Sequence, residues 1–296
     1  MALDELITEA RAERPDYDLS STSELVTLMN REDAAVPEAV AAIAVELAGA
    51  IDAVVERLRG GGRLIYVGAG SSGQIAALDA AECEATFSTE PGQVVAVVAG
   101  AGLESAEERE AAEDDGAAGR RAVEELGLSE RDAVVAVSAS GRTPFTVEAL
   151  RAAAGAGALT VAVVAVRDSE LSGAADHELP TVVGPEFVAG STRLKAGTAQ
   201  KLVLNTISTV SMIRLGKTYG DLMVDVRTSN EKLAARARRI VRAATGVSED
   251  EAAQALADSD GSAKIAIVAL LAQTDAAAAR ERLEQAGGSI RSALER

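Results

Sequence analysis

A doubly wound parallel α/β sheet, with a helical arm before it and a small helical domain after it, is the fold class this sequence predicts. Three observations point there: short apolar runs rich in β-branched residues, helix-length segments of Ala and Glu between them, and glycine- and serine-rich turns where two of the runs give way to helices. Parallel strands covered on both faces read as continuous apolar runs, and right-handed helical crossovers join them.

Residues 1–50 form the arm. They begin polar and irregular around Pro15, and the Ser20-Ser21-Thr22-Ser23 run followed by Glu24–Met29 predicts a short capped helix. From Pro37 to Arg59, the residues Val40, Ile43, Leu47, Ile51, Val54, Val55 and Leu58 recur at three- and four-residue intervals, predicting one amphipathic helix closed by Gly60-Gly61-Gly62. Strands are expected at 63–68, 93–98, 132–138 and 159–166, with a weaker one at 179–183, and a long helix from about Ser191 to Leu215 completes a central domain over 51–220. After Asn230 the chain turns to Ala, Arg, Glu and Asp. A capping box at Ser248 and Glu251, a break at Gly261 and a stop at Gly287-Gly288 predict a domain of three or four helices over 235–296.

With 296 residues and 48% hydrophobic content the chain can bury a substantial core. Its 46 acidic and 29 basic residues leave a net charge of −17, a field that repels nucleic-acid backbones and anionic lipid surfaces. Neither nucleic acid nor a membrane is expected as a partner, and an anionic small molecule must be held by local donors such as backbone N–H groups at a helix start. The excess carboxylates read as solvated surface. The lone Cys83 excludes an internal disulfide or a multi-cysteine zinc site, and no stretch reaches the roughly 20 apolar residues of a membrane span. The expected setting is the cytoplasm. His177, the single histidine, has no ligand set around it in sequence, so no metal is expected.

Four segments can carry chemistry. Gly68-Ala69-Gly70-Ser71-Ser72-Gly73 follows a strand and opens a helix, so its glycines allow close backbone approach while Ser71, Ser72 and the first helical N–H groups can bind a phosphate; a plain turn fits the same residues. The next strand ends without the acidic residue that would hold a ribose, which disfavours NAD. Ser138-Ala139-Ser140-Gly141-Arg142-Thr143-Pro144 repeats the arrangement, and two such loops converge at the carboxyl edge of an open α/β sheet. Asp79 and Glu82, three apart on a helix, are expected to share a face lined by Ala. Of Glu113, Asp114 and Asp115, only one can point into a given pocket, because consecutive helical residues fan out by about 100°. By their residues alone, both carboxylate groups read more readily as solvated helix faces than as catalytic ones. In the long helix, Lys195 either reaches a bound phosphate or belongs to a packed helix at a subunit contact.

Together, Gly68–Gly73, Leu78-Asp79-Ala80-Ala81-Glu82-Cys83, Ser140–Pro144 and Gly190–Asn205 resemble the N-acetylmuramic acid 6-phosphate etherases, a family built on a flavodoxin-like sugar-isomerase (SIS) domain. The likeness extends to Asn30–Asp33, Gly220–Val226, Asn230–Leu233 and the UBA-like helical tail. The resemblance implies elimination of the lactyl ether at C3 of the sugar followed by hydration, with no cofactor, in a cytoplasmic homodimer. By the same resemblance Glu82 is the acid and Glu113 the base, while Gly70, Ser71, Ser72, Gly73, Ser138, Ser140, Gly141 and Thr143, with Lys195, bind the phosphate of the sugar. The chain departs from the family pattern at Gln74, Ala81, Glu84, Ala85, Ala101 and Gly102. Action on another sugar phosphate, or sugar-phosphate sensing without turnover as in the related glucokinase regulatory proteins, stays open.

Overall fold

The computed structural model describes residues 6–12, 14, 16–225 and 231–295, without the side chain of Lys232. Residues 1–5, Glu13, Pro15, Val226, Asn230 and Arg296 of the segments named above lie outside it. The chain divides into two compact units, residues 1–81 with 92–207 and residues 82–91 with 208–296.

Five parallel strands organise the first unit: β1 (Leu64–Gly68), β2 (Val94–Val98), β3 (Ala133–Val137), β4 (Leu159–Val164) and β5 (His177–Pro180), in the order β2-β1-β3-β4-β5. Every residue of β1, β3 and β4 is buried, which is why their sequences run apolar without alternation. The fold class read from the sequence is therefore the one that forms. The weak fifth strand lies earlier than the expected 179–183, because its ladder with β4 starts at His177 opposite Val161 and ends at Pro180, leaving Val182 exposed. Proline fits there because β5 is an edge strand.

The helices of this unit are α1 (Thr22–Asp33), α2 (Ala35–Ala41), α3 (Ala44–Arg59), α4 (Gly70–Phe87), α5 (Ala106–Glu113), α6 (Gly116–Glu124), α7 (Pro144–Gly155) and α8 (Lys195–Arg214), the unit boundaries falling inside α4 and α8. Ser21 and Glu24 form a full capping box, so α1 runs for 12 residues rather than the short helix expected. The single helix expected over 37–59 is two: at Ile43 the backbone leaves helical geometry (φ −109°, ψ 18°) as its side chain is driven into the core. Leu47, Ile51, Val54, Val55 and Leu58 are the buried face of α3, which lies against β3, β4 and β5. Helix α7 covers β1, β3 and β4, and α6 packs along it at Gly119, where a Cβ would stand 2.0 Å from the carbonyl oxygen of Phe145.

In the second unit a two-residue turn at Gly220-Asp221 joins β6 (Thr218–Tyr219) to β7 (Leu222–Met223) in an antiparallel hairpin. Then follow α9 (Glu231–Thr245), α10 (Glu249–Asp258), α11 (Ala263–Ala272), α12 (Ala276–Gln285) and α13 (Ile290–Leu294) around a core of Ile240, Val241, Leu256, Ile267, Leu283 and Ile290. There are five described helices here rather than three or four, since Ser262, Asp275 and Ser289 each cap a new start in a stretch whose alanine content blurs the boundaries. The capping box at Ser248 and Glu251 is present.

At the amino edge of the sheet, Asp132 clamps the starts of β1 and β3. Its carboxylate accepts from the Arg63 amide at 2.9 Å, from Arg63 Nε and Nη2 at 3.0 Å each, and from the Ser129 amide at 2.9 Å. Burial alone would raise the Asp132 pKa; the hydrogen bonds from Arg63 and the two amides, with the guanidinium charge, outweigh it and bring the pKa from 3.8 to about 2. A carboxylate depressed on folding stabilises the protein above its unfolded pKa and loses that contribution as pH falls through the folded one. Asp132→Asn should therefore lower the unfolding free energy by about 2 kcal/mol at pH 7, the gap from wild type closing between about pH 4 and pH 2 in urea melts.

Candidate functional site

The chain leaves β1 towards β2 at one side of the sheet and leaves β3 towards β4 at the other, so the loops after β1 and β3 part at a topological switch point. Gly68 and Val137 are register partners, and the two glycine- and serine-rich loops therefore start side by side.

In the first loop, close packing dictates the glycines. A Cβ on Gly68 would lie 2.9 Å from the Gly73 nitrogen, and one on Gly73 would lie 2.7 Å from Val98 Cγ1 and 2.8 Å from the Gly68 oxygen. The helix thus starts directly on the strand end, with Ser71 exposed and Ser72 half-buried in its first turn, beside N–H groups that have no intrahelical acceptor. In the second loop Ser138 Oγ lies 3.0 Å from Thr143 Oγ1 and accepts from the Gly141 amide at 3.1 Å, while Ser140 Oγ accepts from the Arg142 amide at 3.4 Å. Gly141 adopts φ +65°, and a Cβ there would collide with Ser169 Oγ at 2.2 Å. Pro144 occupies the first turn of α7, and Thr143 gives that helix no side-chain cap.

Glu113, the last residue of α5, enters this edge. Gly70 sits at φ +51°, and a Cβ on it would stand 2.7 Å from Glu113 Oε1. Burial pushes the Glu113 pKa above its usual 4.5, and the charges of Glu110 and Asp114 push in the same direction. Its two neighbours in sequence face elsewhere: Asp114 is exposed, and Asp115 caps α6 by accepting from the Ala118 amide at 2.8 Å. The first loop and Glu113 are thus adjacent, and the second loop starts beside the first.

Other predicted residues fare differently. Asp79 and Glu82 do not share an environment: Asp79 is 3% exposed and accepts from the Tyr66 hydroxyl at 2.8 Å, whereas Glu82 is exposed. Three residues along a helix leave the two side chains about 60° apart on neighbouring parts of one face, and the edge of the buried stripe falls between them. Helix α8 starts at Lys195 rather than Ser191, because Glu186 caps it there, accepting from the amides of Lys195 at 3.0 Å and Ala196 at 2.9 Å. The Lys195 side chain is buried and its Nζ lies 3.2 Å from Glu32 Oε2. Sequence reasoning missed Glu186, since a cap nine residues before its helix has no local spacing to betray it. His177 sits in β5, and among the described residues no three His, Cys, Asp or Glu side chains gather as a metal site. No described helix is long and apolar enough to cross a membrane.

Residues 31–165 and 123–209 each match an SIS domain family. The chain is 58% identical over 293 residues to the N-acetylmuramic acid 6-phosphate etherase of Rubrobacter xylanophilus, covering 99% of this chain and 97% of that one. It is 53% identical to the enzyme of the same name from Streptomyces coelicolor, over 99% and 94% of the two chains. The chain belongs to the N-acetylmuramic acid 6-phosphate etherase family. In shape, a phosphoheptose isomerase from Francisella tularensis aligns with TM-score 0.52 at 19% identity, over 66% of this chain and 99% of that one, in keeping with the SIS fold.

In this etherase-family chain Gly70 leaves no room for a side chain beside Glu113. Gly70→Ala should cost about 1–3 kcal/mol in urea unfolding, from an alanine held at positive φ. It should also displace the Glu113 carboxylate, seen as a return of the Glu113 pKa towards the ordinary range in carboxyl NMR titration.

Proposed function

We propose that this chain is a carbon–oxygen lyase that cleaves the D-lactyl ether of N-acetylmuramic acid 6-phosphate, giving N-acetylglucosamine 6-phosphate and D-lactate in the catabolism of cell-wall amino sugars. Its near full-length likeness to enzymes of that name supports the substrate. The observation that carries the chemistry is the half-buried Glu113 carboxylate held against Gly70, at the mouth of a phosphate-type loop.

The 6-phosphate is assigned to Gly70, Ser71, Ser72 and Gly73 with Ser138, Ser140, Gly141 and Thr143. Hydroxyls and helix-start N–H groups bind it there against a net charge of −17. Lys195, positioned by Glu32, adds positive charge. In the open-chain sugar the C1 aldehyde acidifies the C2 proton. Glu113 takes that proton, the C3–O bond breaks, and Glu82 protonates the departing lactate oxygen, leaving an α,β-unsaturated aldehyde. Water then adds at C3, its proton passing to Glu82, and Glu113 returns a proton to C2. A carboxyl group whose pKa is raised suits the base, because a stronger base gains more from taking a carbon-bound proton. The aldehyde supplies the electron sink, so this reading includes no metal and no organic cofactor. It places the enzyme in the cytoplasm as a homodimer.

Lactate release and exchange of the C2 proton with D2O separate the two roles. Glu113→Gln should lose about 10²- to 10⁴-fold in both. Glu82→Gln should lose lactate release to a similar extent while exchange at C2 persists. Wild-type protein that neither releases lactate nor exchanges the proton would overturn the assignment.

The acidic limb of kcat/KM should report deprotonation of Glu113 and so lie above the ordinary glutamate range. Glu110→Gln, which removes one of the two repelling charges, should move that limb to lower pH without returning it to the usual value, because burial is the larger cause.

A further inference from the structure

A cavity of about 190 Å³ opens away from the residues assigned above, between the N-terminal segment and the loop that precedes α8, lined by Arg11, Ala12, Arg14, Tyr17, Glu186, Phe187 and Ala189. The Arg14 guanidinium is held by Glu32 and Phe187, and Phe187 in turn by Tyr17. Its Nη2 bonds Glu32, its plane lies 5.6 Å from the centre of the Phe187 ring, and Tyr17 meets that ring edge-on at 5.3 Å between centroids. Its other terminal nitrogen, Nη1, is buried and has no hydrogen-bond partner among the described residues. Buried guanidinium N–H groups rarely go without an acceptor, since water lost on burial must be replaced. The Glu186 carboxylate is turned to the first amides of α8, one on each oxygen, and does not bond Arg14 Nη1.

We propose that this cavity is a second binding site, for a short organic monocarboxylate. The ligand carboxylate is held by the guanidinium groups of Arg14 and Arg11, both of which line the cavity, Arg14 turning its buried Nη1 outward to meet it, and its two- to four-atom carbon chain lies against Phe187, Ala12 and Ala189. The shape and charge of the lining favour this class over inorganic phosphate. A guanidinium edge matches a planar carboxylate, the ring and the two alanines match methyl or methylene groups, and a dianion would meet the fixed charge of Glu186. The ligand also bears on the rest of the unit, because Arg14 shares Glu32 with Lys195, and Glu186 holds the start of α8. Lactate is the member of the class that the reaction proposed above generates. The inference rests on that reaction only for the choice of D-lactate as the natural ligand.

Binding is read without substrate, so that it stands or falls apart from catalysis. Full-length protein is titrated with sodium D-lactate, acetate and inorganic phosphate by ligand-observed NMR and calorimetry, with ionic strength held constant by sodium chloride. Saturable binding of one D-lactate per chain is expected, with phosphate at least tenfold weaker. The dissociation constant for D-lactate should rise at least tenfold in Arg14→Gln and in Arg11→Gln. Ala189→Leu, which fills the cavity and leaves every charge in place, should abolish binding while the melting temperature stays within a few degrees of wild type, so loss of binding is not confused with unfolding. The proposal is overturned if D-lactate gives no more than the sodium chloride control, if Ala189→Leu binds like wild type, or if phosphate binds as tightly as lactate. Lactate release from substrate by a protein that fails these titrations would leave the reaction standing without the second site.

Discussion

No side chain fits between the end of β1 and the beginning of α4, and the rest of the carboxyl edge depends on that exclusion. Gly68 and Gly73 approach until either Cβ would fall within 3 Å of the other's backbone. The chain therefore turns from strand to helix with almost no loop, and the free amides of α4 are presented at the crevice instead of over the surface. The same economy lets the carboxylate of Glu113 come down on Gly70. A residue with a side chain at either glycine would push the helix outward and take the hydroxyls of Ser71 and Ser72 with it. Burial, the larger cause of the raised Glu113 pKa, accompanies this close approach, and the neighbouring charges of Glu110 and Asp114 at the end of α5 add to it.

Much of the fold was legible because its determinants are local or periodic. β1, β3 and β4 announce themselves as unbroken apolar runs, being buried on both faces, and the glycine-serine loops mark where strands end. Two of the misreadings share a physical cause, a long-range contact that overrides a local pattern. Ile43 breaks a helix whose spacing is continuous, since burying its side chain counts for more than one backbone turn. The start of α8 is set by Glu186 across a loop. The hairpin at Gly220-Asp221 has strands of two residues, too short to leave a period. For the candidate site, spacing found both loops and identified Glu113, Asp114 and Asp115 as a trio in which one faces inward. It could not say which one, because that depends on where α5 stops. Nor could it separate Asp79, buried and bonded by the Tyr66 hydroxyl, from Glu82, which is exposed.

The acidic surplus is less of an idle surface than composition alone implies. Several of its carboxylates hold secondary structure together. Asp115 opens α6, Glu186 opens α8, Asp132 joins two strands, and Glu32 collects both Arg14 and Lys195. Each has local donors that outweigh the general repulsion. The same principle allows an anionic sugar phosphate to be held by a protein whose overall field opposes it: amides and hydroxyls within hydrogen-bond reach act at a few ångströms, whereas the surface charge is screened by salt beyond about 10 Å.

A parallel sheet gathers all its strand starts on one edge and all its strand ends on the other. Here the Arg63–Asp132 clamp occupies the first edge and the two glycine-serine loops the second, joined through the five residues of β1 and the five of β3. Firmness and reactivity are thereby kept at opposite ends of the same strands. A substitution at the clamp acts on the acid stability of the sheet through Asp132, a full strand length away from the glycine-serine loops. Under the proposed function, stability at one edge and chemistry at the other are therefore set by different residues of the same strands and can change independently.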